Sequence, residues 1–204
     1  MRKGFTLVEA IIAIGLFTIV VSIASGGFIN ALHTQHEVSA LLAAQSSASE
    51  ALEQMTREMR TGYLFCVDPN NSTLKQPSAA CQPYTNPING GAGTWTVDGY
   101  INFQNANSEN VVYEVVNGSL ERQNLSASPS TPEEITGSNV AVKYLIFTLA
   151  GNTEGDHWNP RITISMGVAP SSTDPAVAND VMNLETTVSA RSIDCDVSAG
   201  GANC

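Results

Sequence analysis

The chain has 204 residues, room for one domain of ordinary size and an appendage. Charged residues make up 14%, and Lys plus Arg number 9 against 19 Asp plus Glu, for a net charge of −10. That balance argues against nucleic acid and against a basic peripheral membrane binder, because both need a cationic surface. The 16 Gly and 9 Pro follow no strict period, which removes collagen-like and wholly disordered readings.

The first element is an apolar run. Between Phe5 and Leu32 the only ionisable residue is Glu9, and Ala10 to Ile29 meets the roughly 20 residues that cross a bilayer core as a helix. Arg2 and Lys3 precede the run and no Lys or Arg follows until Arg57, so the positive-inside rule places the N-terminus in the cytoplasm and the rest outside. A carboxylate at Glu9 is costly in lipid unless it is paired or lies at the interface. Ser22-Ile23-Ala24 is a small-x-small triplet that an ordinary signal peptidase could accept, although the run before it is long for a signal.

Gly4-Phe5-Thr6-Leu7-Val8-Glu9, behind a short basic leader and opening an apolar run, resembles the processing site of type IV pilins and type II secretion pseudopilins. The resemblance implies that a prepilin peptidase cuts after Gly4 and that Phe5 becomes an N-methylated N-terminus. It implies further that Glu9 of one subunit meets the N-terminal amine of a neighbour. Such a pair fixes register better than it adds net stability, since both charges are desolvated. Loss of Arg2 and Lys3 with the leader makes the chain more acidic still. The implied partners are the peptidase/methyltransferase, other pilin or pseudopilin subunits and an inner-membrane assembly platform. The implied location is a single-pass cytoplasmic-membrane protein with its C-terminal domain outside, and then an extracellular pilus or a periplasmic pseudopilus.

No Pro occurs before Pro69, so Phe5 to Arg60 can be one helix, on the order of 85 Å long. Its outer half carries a stripe at Val38, Leu41, Gln45, Ala48, Leu52, Met55 and Met59, spaced three and four apart as in an amphipathic helix. The stripe is read as packing on the protein's own globular part, with a partner helix as the alternative. Ser46, Ser47, Glu50, Glu53, Arg57 and Arg60 form the other side, and Thr61-Gly62 reads as the stop. Gly15, Gly26 and Gly27 weaken the helix locally. His33 and His36, with Glu37, have a spacing that can hold a metal, but two His beyond a membrane span also fit as interfacial polar residues.

Residues 66 to 94 are loop chemistry, rich in Pro, Asn and Gly. The period then becomes two. Trp95 to Gln104 reads as a strand interrupted at Asp98-Gly99. Val111 to Val116 and Leu120 to Asn124 read as a hairpin around Asn117-Gly118. Val140 to Leu149, Arg161 to Val168 and Leu184 to Ile193 are further strands, separated by polar loops at Ser126–Gly137, Gly151–Pro160 and Pro170–Asn179. The expected fold is α+β: a pilin-like long N-terminal helix, half transmembrane and half amphipathic, packed on an antiparallel β-sheet. The expected segments are a leader at 1–4, a transmembrane or filament-core helix at 5–32, an amphipathic half at 33–62 and a β-rich globular part at 63–204. The order of Met55-Thr56-Arg57-Glu58-Met59-Arg60, a Tyr-bearing strand, Leu120-Glu121-Arg122, Pro160-Arg161-Ile162 and Ser189-Ala190-Arg191 resembles W-type minor pilins and J-type minor pseudopilins.

Cys66, Cys81, Cys195 and Cys204 all lie in the exported part, an even number that suggests disulfides. Three pairings are possible, and proximity favours Cys66–Cys81 and Cys195–Cys204. No catalytic set, phosphate loop or cofactor motif stands out. Asn89-Gly90-Gly91-Ala92-Gly93 is a turn. Asn152, Glu154 and Asp156 alternate as oxygen ligands for calcium do, without the full EF-hand pattern. The expected function is therefore structural, a minor subunit active through assembly. A pilin-stalked adhesin or ligand-binding module and a secreted hydrolase released by ordinary signal cleavage are the rivals.

Overall fold

A computed structural model of the chain describes residues 4, 6–66, 94–151, 159–172 and 175–191. These form α1 (Leu7–Arg60), β1 (Tyr63–Cys66), β2 (Thr94–Asp98), β3 (Tyr100–Gln104), β4 (Asn110–Val116), β5 (Ser119–Asn124), β6 (Pro132–Glu134), β7 (Val140–Ala150), β8 (Arg161–Pro170), the short α2 (Pro175–Ala178) and β9 (Met182–Ser189). The chain divides into two compact units, Met1–Ala40 and Leu41–Cys204, and α1 runs through the division.

In the first unit the described residues from Leu7 onward are helix. Every large apolar residue from Leu7 to Ile29 is exposed, and the helix is long and apolar enough to cross a membrane by length and composition.

In the second unit, the C-terminal part of α1 packs against antiparallel sheets, an α+β arrangement. The single sheet expected from the sequence is two. One has the order β1-β3-β4-β5-β6 and the other β2-β7-β8-β9. The break at Asp98-Gly99 explains the division. Gly99 has φ +88°, its N–H donates to Leu145 O at 2.7 Å and its carbonyl accepts from Val115 N at 3.0 Å. The run Thr94–Gln104 thereby leaves one sheet and enters the other at a residue whose missing Cβ permits the turn. The hairpin turn is Asn117-Gly118, both at positive φ, the pattern that matches strand twist.

The core joins Ala48, Leu52, Met55 and Met59 of α1 to Ile101, Phe103, Tyr113, Leu120, Phe147, Leu149, Ile162 and Ile164 of both sheets. The buried face of the helix differs from the expected stripe. It comprises Ala44, Ala48, Ala51, Leu52, Met55 and Met59, whereas Val38 and Gln45 are exposed. Ala44 and Ala51 join Ala48 on the core side, because small residues let a helix backbone approach its partner closely. Ser47, assigned to the polar side, is half-buried and accepts a bond from Gly137 N at 3.0 Å.

Three further differences are local. β1 was not expected, and its Phe65 stacks on Phe103 with ring centroids 5.3 Å apart. β6 falls inside a segment read as loop and pairs through Glu121↔Glu134 to Gln123↔Pro132. β9 begins at Met182 and ends at Ser189, not Leu184 to Ile193, because the chain then turns: Ala190 N donates to Pro160 O and Arg191 N to Arg60 O. Tyr144, Gly167 and Asn183 are in register across three strands, and the Tyr144 ring lies over Gly167 so that its hydroxyl reaches Asn183 Oδ1 at 2.7 Å.

Candidate functional site

The N-terminal motif starts a helix by local chemistry. Thr6 precedes α1, and its Oγ1 accepts from Glu9 N at 3.3 Å while its carbonyl accepts from Ala10 N at 3.2 Å. Thr6-Leu7-Val8-Glu9 thus has N-cap spacing, with an acidic residue three places on. Glu9 is the third residue of the helix, where the positive end of the macrodipole favours a carboxylate. Gly4 and Thr6 are exposed, and no atom lies within 4 Å of where a Cβ on Gly4 would sit. Phe5 lies outside the described residues.

The apolar surface beyond is continuous. Leu7 is 76% exposed and Ile29 65%. Among the intervening polar groups, the Thr18 hydroxyl donates to Gly15 O at 2.9 Å and the Ser22 hydroxyl to Thr18 O at 2.8 Å. Hydroxyls satisfied inside their own helix do not need water, the condition for a surface to meet lipid or other helices. His33 Nδ1 lies 3.0 Å from Glu37 Oε1 on an exposed helix face. Among the described residues, no group of three or more His, Cys, Asp or Glu side chains is placed to hold a metal. The cysteine pairings, the side chains of Cys66 and Trp95, the candidate calcium ligands Asn152, Glu154 and Asp156, and Trp158 lie outside the described residues.

A second cluster was not expected. Glu58, in the last turn of α1, accepts from Arg122 Nη2 (2.6 Å) and Asn105 Nδ2 (3.1 Å) at Oε1. Its Oε2 accepts from Tyr113 Oη (2.6 Å) and Arg122 Nε (2.9 Å). Burial pushes the Glu58 carboxyl upward, but its bonds from Arg122, Tyr113 and Asn105 outweigh that and hold it below the ordinary carboxylate range. Burial, then donation to Glu58, raises the Tyr113 phenol. The bond to Glu58 raises the Arg122 guanidinium. The Asn105 amide also donates to Glu109 Oε2 at 2.8 Å and holds that carboxyl below its usual range. The signal was present: Ala51, Met55 and Glu58 stand at i, i+4 and i+7, so Glu58 lies on the buried face. Arg122 shares its strand face with Leu120.

The long apolar helix and the antiparallel sheets against which its C-terminal part packs make an α+β arrangement consistent with a pilin-like fold. Residues 1–25 match the family model of the prokaryotic N-terminal methylation motif. No curated protein and no solved structure matches the chain. The motif supports a type IV pilin-like protein, a substrate of prepilin peptidase that assembles with other pilin subunits, and the apolar helix is consistent with a single-pass membrane anchor.

Proposed function

We propose that this protein is a minor subunit of a type IV pilus or a type II secretion pseudopilus, of the W or J type, and that its activity is assembly rather than catalysis. The observation that carries the reading is the methylation motif at residues 1–25 followed by an unbroken, exposed apolar helix surface. Buried in lipid, that surface is stable in the membrane pool. Buried among like helices it is equally dry, so transfer from membrane to filament leaves no apolar area facing water. Cleavage after Gly4 supplies a cationic amine at Phe5, and Glu9 offers the opposite charge to a neighbouring subunit. The N-terminus faces the cytoplasm before assembly and residues 63–204 lie outside, where the four cysteines form disulfides.

The test is the intact mass of the protein isolated from its native membrane. Loss of residues 1–4, gain of one methyl group on Phe5 and oxidised thiols support the proposal. A mature N-terminus near Ser25 overturns it in favour of an ordinary secreted protein.

A further inference from the structure

The five-stranded sheet has blunted edges. β1 has four residues, a register shift between Tyr63 and Cys66, and Leu64 at φ +53°. β6 is Pro132-Glu133-Glu134, whose first residue has no N–H to donate and whose others are charged. The four-stranded sheet is different. Its edge strand β9, Met182–Ser189, runs eight residues in unbroken register with β8 and holds no Pro, Lys or Arg. Such an edge is an open template for a further strand.

Two bonds fix which backbone groups β9 offers. Ala190 N donates toward β8, to Pro160 O, and Arg191 N donates the other way, to Arg60 O. Residues alternate along a strand, so Asn183, Glu185, Thr187 and Ser189 turn their N–H and C=O groups outward. Among the described residues no backbone group bonds to them there. Their side chains do not guard the edge. Asn183 Oδ1 accepts from Tyr144 Oη, Glu185 Oε2 accepts from Ser165 Oγ, and the Thr187 and Thr163 hydroxyls share a bond, so these three lean back over the sheet. On the core side, Met182 and Leu184 are only half-buried, and an added strand would cover them further.

We propose that β9 is an assembly edge whose occupant is β2 of a second copy of this chain. β2, Thr94–Asp98, is the opposite edge of the same sheet. Gly99 N donates toward β7, to Leu145 O, so the backbone groups of Thr94, Thr96 and Asp98 turn outward. Each of the four strands is antiparallel to the next, so β2 and β9 run in opposite directions. A copy moved sideways without being turned over therefore brings its β2 antiparallel to β9, and the two helices keep one polarity. Chains anchored in one bilayer must keep it, and this choice of partner rests on the reading of α1 as such an anchor. Pairing β9 with β9 about a two-fold axis would reverse one copy together with its helix. The outward groups meet with Thr94 against Thr187, Thr96 against Glu185 and Asp98 against Asn183. A shift of two residues sets Asp98 against Glu185 and opposes two carboxylates, which is unfavourable. Head-to-tail contacts of this kind need not close, so they can propagate along a fibre.

The test uses the full chain in vesicles of phosphatidylethanolamine and phosphatidylglycerol. One population carries the photoreactive p-benzoylphenylalanine in place of the exposed Glu185, and a second is isotope-labelled. Cross-links mapped by mass spectrometry should join position 185 of one copy to residues 94–98 of the other. Asn183→Asp keeps the acceptor for Tyr144 but sets a carboxylate against Asp98, and should lower the yield about 2–5-fold. Adding Asp98→Lys should restore it. Near-UV circular dichroism checks that each variant is folded. Vesicle flotation reports the anchor separately, so a failure of the anchor is told from a failure of the edge. Cross-links to β9 of the second copy, cross-links confined to α1, no cross-link between copies, or a yield indifferent to Asn183→Asp overturns the proposal.

Discussion

Replacing Arg122 by Met keeps an apolar stem of similar reach and removes two charge-assisted bonds to Glu58, at 2.6 and 2.9 Å. Fully buried pairs cost about 3–5 kcal/mol when one partner is removed, and exposed pairs about 0–1 kcal/mol. The Arg122 and Glu58 side chains are 19% and 17% exposed, and Glu58 retains Tyr113 and Asn105 as donors. Arg122→Met is therefore expected to destabilise the second unit by about 2–3 kcal/mol, which for a unit of this length lowers Tm by about 4–12 °C. Near-UV circular dichroism of the full chain in detergent, followed through thermal unfolding, measures this. Adding Glu58→Leu to Arg122→Met should cost less than the sum of the two single changes, since no lone charge remains on the buried face. Additive losses, or no measurable change with Arg122→Met, would refute the assigned role of the pair.

Two more outcomes are expected from the geometry. Because the folded Glu58 carboxyl titrates below its unfolded value, its contribution is complete above the unfolded value and disappears as pH falls through the folded one; the Tm gap between the parent and Glu58→Gln should be constant near neutrality and close in acid, and a gap that widens in acid contradicts it. Gly167→Ala places a methyl group in the Tyr144 ring and should cost about 1–3 kcal/mol, with a much smaller loss in a Tyr144→Ser background, both read by denaturant unfolding.

Much of the fold was legible because its signals were periodic or chemically sharp. The apolar run, the Asn117-Gly118 turn and the alternation along Arg161–Val168 each correspond to an observed element. The elements that escaped are those stabilised from elsewhere. β1 has four residues and no alternation, yet Phe65 finds Phe103 across the sheet. β6 is Pro-Glu-Glu, exposed throughout, and exists because β5 offers it an edge. The helix stripe was displaced because alanine carries little weight in an apolar pattern while permitting close packing. The processing motif was readable because it is contiguous in sequence. The Glu58 cluster was legible only in part: helical spacing puts Glu58 on the buried face, but its partners lie 47 to 64 residues away and only folding brings them to one carboxylate.

Gly99 has a consequence for how the globular unit comes apart. Its two peptide groups are committed to different sheets, one to β7 and the other to β4. Neither sheet can fray at that corner without unfastening the other, so the two share a single opening event there. The amides of Gly99 and Val115 should exchange with solvent at a common rate, as two readings of one clasp.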